Sequence, residues 1–344
     1  MVVTSAVSIR LLANRTLNQL RCWTSYALSL FGIVRVRHLP TFVSVEPANF
    51  CQLRCPECPV GIASSPNRLS PNRLMPLSIF ERVLEQVQAT AHTMQFYFQG
   101  EPLLNKQLPE MIAAAHKAGL YTIVSTNAQS LSQDMANALV QSGLNRIIVS
   151  IDGFSEESYQ AYRVGGSLQK ALDALRYLAN AKRLHKSHIR IELQTLRLKT
   201  NEHEWNWIKK NYKQLGATHL AFKTAQLYDF EHGHPLMPTS ERYSRYRKTT
   251  DGTYIHKKSS RLSPLASSPY RLIALQPCLR LWSGCVITTN GDVLPCCYDK
   301  DHKHTLGNIT TLSLSEIFHS NKANNLRKHI LKGNLPEMCK NCNH

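Results

Sequence analysis

The chain has 344 residues, more than the usual single-domain size, and its 43% hydrophobic and 19% charged residues place it among globular proteins and exclude a disordered or fibrous chain. Lys and Arg number 41 against 23 Asp and Glu, a net charge of +18, which favours anionic partners but speaks to association rather than chemistry. No nucleic-acid-binding motif accompanies that charge, so no specific nucleic acid is expected.

Residues 1–39 form a basic, apolar extension. Its uncharged stretch, Cys22 to Val34, contains Thr24, Ser25 and Ser29 and is too short to span a bilayer. The basic start suits a signal peptide, but no small-residue cleavage site follows and Arg35 and Arg37 come at once. Two readings stand side by side. One is an interfacial helix, with Arg10, Arg15 and Arg21 toward headgroups and Leu12, Leu20, Trp23 and Leu30 turned inward; the other is a helix packed on the domain.

From residue 40 to 228, short apolar strands alternate with amphipathic helices. FVSVE (42–46), MQFYF (94–98), YTIVS (121–125), RIIVSID (146–152), IRIELQTL (189–196) and THLAFK (218–223) read as strands. Between them, Phe80, Val83 and Val87, then Leu108, Met111 and Ile112, then Leu168, Leu172 and Leu175 mark helix faces, with Gly119 and Gly143 closing two helices. Six such alternations predict an α/β fold with a parallel sheet, in which loops leaving the C-terminal strand ends carry the chemistry.

The first of those loops is CQLRCPEC, with Cys51, Cys55 and Cys58. Ten cysteines clustered in a chain this long suit metal thiolates in a reducing compartment, not a disulfide framework. A four-iron cluster held by three cysteines keeps one iron open to another ligand. Zinc is the rival, since a closed zinc site wants a fourth ligand from elsewhere.

CQLRCPEC after strand one, QGEP after strand two and VSIDG at the end of strand four together resemble the radical S-adenosylmethionine (SAM) superfamily and its CxxxCxxC motif, over about residues 40–342. The resemblance implies a partial (β/α)6 TIM-like barrel and a [4Fe-4S] cluster on Cys51, Cys55 and Cys58 whose open iron is chelated by SAM. It further implies an electron donor such as flavodoxin or ferredoxin, reductive cleavage of SAM to a 5'-deoxyadenosyl radical, and hydrogen abstraction from an unactivated C–H bond. By position, Gly100, Glu101 and Pro102 would meet the methionine amino group, while Ser150 and Arg163 would hold its carboxylate. Asp152 and Ser125 would touch the ribose or organise strand ends. Glu57 departs from the aromatic residue frequent there, so adenine packing falls to another residue such as Leu196. The bland reading of these polar groups is strand-end and loop structure.

Residues 229–270 read as a polar connector and 271–344 as a small α+β domain. VITT and VLP, joined by Asn290, Gly291 and Asp292, predict a hairpin, and Leu314 to Leu331 two short helices. This tail resembles the SPASM and twitch domains that carry auxiliary clusters, which implies one auxiliary [4Fe-4S] cluster on Cys278, Cys296, Cys339 and Cys342. Cys285 and Cys297 are spare, either able to replace Cys278 or Cys296, and a zinc ribbon is the competing reading. Cys22 reads as a buried structural thiol.

The leading expectation is therefore a cytoplasmic radical SAM enzyme that oxidatively modifies or crosslinks a peptide, a lipid-linked or an anionic small substrate. A peripheral contact with the inner face of the membrane remains open. Lys223, Gln226 and Tyr228, beyond strand six, are the candidates for substrate contact or proton transfer. The alternative is a noncatalytic metal-binding module whose basic face binds an anionic partner.

Overall fold

The computed structural model describes residues 3–62, 73–257 and 278–342, with side chains from residue 9 on. Residues 258–277, which hold the end of the expected connector and the start of the expected tail, lie outside the described residues.

A long helix α1 (Val3–Ser29) precedes the alternation: β1 (Phe42–Val45), α2 (Leu77–Val87), β2 (Thr93–Phe96), α3 (Leu108–Lys117), β3 (Tyr121–Thr126), α4 (Gln133–Gln141), β4 (Arg146–Ser150), α5 (Glu156–Gln160), α6 (Leu168–Leu184), β5 (Arg190–Arg197), α7 (Trp205–Asn211) and β6 (His219–Thr224). The helix faces marked by the sequence are the buried ones: Phe80, Val83 and Val87 on α2, and Leu108, Met111, Ile112 and Ala115 on α3. Ser132 and Ser167 cap α4 and α6 by accepting the amides of Met135 and Lys170.

Strands β1 to β6 pair in parallel and in chain order, as right-handed helical crossovers require. Within the sheet β6 has one neighbour, β5, so the six strands form an open, partial barrel. The chain continues through a hairpin, β7 (Tyr246–Lys248) and β8 (Tyr254–His256), then α8 (Leu279–Ser283), β9 (Gly284–Ile287), β10 (Asp292–Leu294), β11 (Gly307–Asn308), α9 (Leu314–Phe318), α10 (Asn321–Leu331) and α11 (Glu337–Lys340). The expected Asn290-Gly291 turn joins β9 to antiparallel β10.

Three features differ from the sequence-based expectation. First, the tail is not set apart by its sheet: β9 lies parallel to β1 with Phe42 opposite Gly284, giving one nine-stranded sheet ordered β11-β10-β9-β1-β2-β3-β4-β5-β6. Its core is continuous, running from Val43 and Phe96 to Ile287, Val293 and Ile317. Second, residues 229–257 are more than a polar connector. Tyr246 is fully buried, stacks on Phe230 with ring centroids 4.2 Å apart, and clusters with Leu227, Leu53 and Cys55. Third, Arg15 does not face outward beside Arg10 and Arg21. Only 7% exposed, it donates to the carbonyls of Gln88, Ala118 and Gly119 at 2.6 to 3.0 Å, while Leu12, Leu20, Trp23 and Leu30 face solvent.

Candidate active site

The cysteine loop leaves the C-terminal end of β1. Its shape comes from backbone turns, with the amide of Cys58 on the Cys55 carbonyl (3.1 Å) and that of Gly61 on the Cys58 carbonyl (2.9 Å), and from the Arg54 amide bonded to Val164 O (2.9 Å). Leu53 is buried beneath it. Gly100 lets the loop after β2 lie against this one: a Cβ there would sit 2.1 Å from the Ala48 carbonyl oxygen.

N–H groups face two of the three thiols. Asn127 Nδ2 lies 3.2 Å and the Leu53 amide 3.4 Å from Cys51 Sγ, and Arg163 Nη1 lies 4.0 Å from Cys55 Sγ. Burial pushes the Cys51 thiol up to about 12, and the Leu53 amide offsets this only in part. Cys55 is raised by the same cause, with Arg163 opposing. Thiols so buried become thiolates only with a cationic partner, and donors aimed at sulfur are what a metal-bound thiolate accepts. The donor set therefore fits an iron-sulfur cluster held by Cys51, Cys55 and Cys58.

The strand-end residues divide into two groups. Glu101 does not reach for a ligand. Its carboxylate, 3% exposed, accepts Thr126 Oγ1 (2.6 Å) and the Leu103 amide (3.2 Å) on one oxygen and the Asn127 amide (2.8 Å) on the other. It ties the loops after β2 and β3 together. Asp152 is likewise committed, since Oδ2 accepts Arg163 Nε (2.7 Å) and Oδ1 the Leu196 amide (2.6 Å). Arg163 is thereby fixed with Nη1 toward Cys55, which is orientation rather than free reach. Ser150 ends β4, Ser125 lies near the end of β3, and Leu196 is half-buried beside Asp152. Glu57 braces the loop: one oxygen accepts the Tyr228 amide (2.8 Å) and the other faces His234 Nε2 at 3.2 Å.

The four thiols expected to hold the auxiliary cluster are linked in a row by their electrostatics rather than gathered around one of them. Electrostatic repulsion reaches from Cys278 to both Cys296 and Cys339, and from Cys339 to Cys342. Burial pushes the Cys339 thiol up to about 12. Cys297 is lowered, first by the hydrogen bond it shares with Cys296 and further by Arg280, whose Nη1 is 3.3 Å from its sulfur. Cys285 is buried in the main core, opposite Val43, and Cys22 lies on the buried face of α1 with Sγ 3.8 Å from the Trp282 carbonyl oxygen. Asn341, inside the final CxxC, accepts the Tyr246 hydroxyl (2.8 Å) and donates to the Leu227 carbonyl (2.6 Å), which pins the last cysteines to the loop beyond β6.

A cavity of about 590 Å³ opens between the cysteine loop and the tail, lined among others by Pro59, Gln226, Tyr228, Tyr298, Lys300 and Asn341. Gln226 and Tyr228 are thus brought together on its wall. Lys223 is not: it is exposed on edge strand β6 and is not among the residues that line the cavity, although it lies opposite Leu196 in the sheet. Lys300 escaped the sequence reading. Its backbone oxygen accepts Gln99 Nε2 (2.6 Å), its ammonium is lowered by burial, and both it and Tyr228 feel the charge of Cys58. The one signal was its position just past Cys296-Cys297.

Comparison with known proteins agrees with this geometry. The sequence model of the Radical SAM superfamily matches residues 45–191, and that of an iron-sulfur cluster-binding domain, SPASM, matches residues 278–343. PqqA peptide cyclase of Rhizobium meliloti is 25% identical over 313 residues, 88% of this chain and 79% of that one. Its counterpart in Rhodopseudomonas palustris is 26% identical over 323 residues, with the same coverage. Among solved structures, Streptococcus suis SuiB superposes with a TM-score of 0.61 at 14% identity, over 84% of this chain and 68% of that one. The structure of anSMEcpe with bound AdoMet gives 0.59 at 18%, over 88% and 86%.

Proposed function

Because the chain belongs to the radical SAM superfamily and carries a C-terminal SPASM domain, we propose that it oxidatively modifies a peptide at an unactivated C–H bond. When bound, SAM and the cluster on Cys51, Cys55 and Cys58 supply a 5'-deoxyadenosyl radical. The chain's own residues do the rest. Arg163, oriented by Asp152, and Ser150 bind the SAM carboxylate. The loop backbone at Gly100 and Pro102, held in place by Glu101, meets the amino group. Ser125 and Leu196 flank the nucleoside. Cys278, Cys296, Cys339 and Cys342 hold the auxiliary cluster, an acceptor suited to a net oxidation.

The carrying observation is that Tyr228 and Lys300, two walls of the 590 Å³ cavity, both lie within electrostatic reach of Cys58. Substrate placed there faces the radical source on one side and the auxiliary cysteines on the other. A peptide is favoured because the PqqA cyclase relatives, by name, act on one. The cavity holds a peptide side chain or two, within the ordinary range for ligand sites. Its walls mix Lys300, Lys303 and Lys340 with Glu231, Asp299, Asp301 and Glu337, so the net positive charge of the chain is not gathered there to select an anion.

The test is anaerobic reconstitution followed by iron and sulfide counts and SAM cleavage in the wild type and in a Cys51, Cys55 and Cys58 triple alanine variant. The expected result is about eight irons falling to about four, with deoxyadenosine lost. Supplied with its peptide, the wild type should return a product lighter by two hydrogens. Stoichiometric zinc without cleavage would overturn the reading.

A further inference from the structure

Helix α1 is amphipathic in the opposite sense to a packed surface helix. Its buried stripe is polar or small: Arg15, Asn18, Cys22, Ser25 and Ser29. Its outward stripe is apolar: Leu12 is 61% exposed, Leu20 59% and Trp23 50%, continued past the helix end by Phe31 at 75%. On a helical wheel Ile9, Leu12, Leu17, Leu20 and Trp23 share an arc of about 140° that contains no charged residue.

Hydrogen bonds lock this orientation. Besides the Arg15 guanidinium on three carbonyls, Asn18 donates to the Leu39 and Thr90 carbonyls (2.9 and 3.1 Å) and accepts the Leu39 amide (2.9 Å). Rotating the helix to bury its leucines would strand these groups, so the apolar ridge stays outside.

We infer that this ridge is a docking surface for an anionic lipid bilayer, lying in the interface without crossing it. Charge argues for that occupant. Exposed Arg10 and Arg21 border the apolar arc, exposed Arg35 and Arg37 follow it, and no acidic residue precedes Glu46. Shape argues the same way: a single helix of about 40 Å presents a convex ridge, which meets a plane better than it meets a second convex protein surface. Among the described residues no helix is long and apolar enough to cross a membrane, so contact is peripheral. The thiol loop and the cavity are built from other segments, so docking would localise the enzyme without altering its site.

Flotation of the reconstituted holoprotein with vesicles of phosphatidylcholine alone, or mixed with phosphatidylglycerol, tests this. Binding is expected to the mixed vesicles and to weaken with salt. Leu12→Ser, Leu20→Ser and Phe31→Ser together should cut binding at least about tenfold. Arg10→Glu with Arg21→Glu should abolish the preference for anionic lipid. SAM cleavage should be unchanged in both, which separates failure of this inference from failure of the enzymatic one. The inference is overturned if the wild type does not float, if the serine variant floats equally, or if the wild type is a dimer that the serine substitutions make monomeric.

Discussion

Glu46 and Glu101 are both carboxylates buried beside the cysteine loop, yet their surroundings set them to opposite tasks. Glu101 spends both oxygens on three donors and works as a brace. Glu46, 1% exposed, makes no ordinary hydrogen bond with either oxygen among the described residues. Burial raises it to about 8, the nearby amides of Thr289 and Gln99 opposing only in part. It therefore keeps its proton in the folded chain between its ordinary value and about 8, where the unfolded chain has released its own. Stability on this account falls as pH rises through that window and levels off above it. Glu46→Gln should remove the slope: the stability gap in favour of the variant widens from pH 6 to 8 by about 1 kcal/mol per unit and then stays constant. Parallel unfolding curves for the two proteins from pH 6 to 9 would refute this. The contrast also marks what sequence reading can reach. Cys51, Cys55 and Cys58 were legible because ligand spacing is local. The brace role of Glu101, the strut of Glu57 and the place of Lys300 were not, because each depends on a partner from a distant loop.

At the scale of elements, α2 and α3 followed the rule that apolar stripes face the core, and α1 broke it. The cause is Arg15. Its guanidinium caps the C-terminal ends of α2 and α3 together, through Gln88 on one and Ala118 and Gly119 on the other, where the helix dipoles are negative. A charged group satisfied by three carbonyls outweighs the leucines it turns outward. Arg15→Met keeps most of the stem volume but strands those carbonyls. It should lower unfolding stability by about 2–4 kcal/mol, read as a fall in the urea midpoint, and make α1 an early site of proteolysis. An unchanged midpoint would mean that α1 is held by something other than this cap. Periodicity alone has no means of finding such an inversion, since it identifies two faces but not which of them finds hydrogen-bond partners.

Across the whole molecule, the first and last segments meet. His38 Nε2 lies 2.6 Å from the Trp282 carbonyl oxygen and Nδ1 3.1 Å from Ser25 Oγ, and β9 continues the sheet beyond β1. The sequence read the strands and the tail hairpin correctly but not their union, because pairing between residues 42 and 284 has no local signal. That union depends on Gly284. A Cβ there would lie 2.9 Å from the Phe42 ring and 3.0 Å from the Phe42 carbonyl oxygen, and the backbone cannot yield without separating the two strands. Gly284→Val should thus cost about 1–3 kcal/mol and loosen the approach of Cys278 and Cys296 to the last CxxC more than it disturbs the loop after β1. Under the proposed cluster assignment, reconstituted variant would hold nearer four irons than eight and still cleave SAM. Full iron content would show that the tail closes on its cluster independently of β1, whereas loss of all iron would show that the sheet supports both sites as one unit.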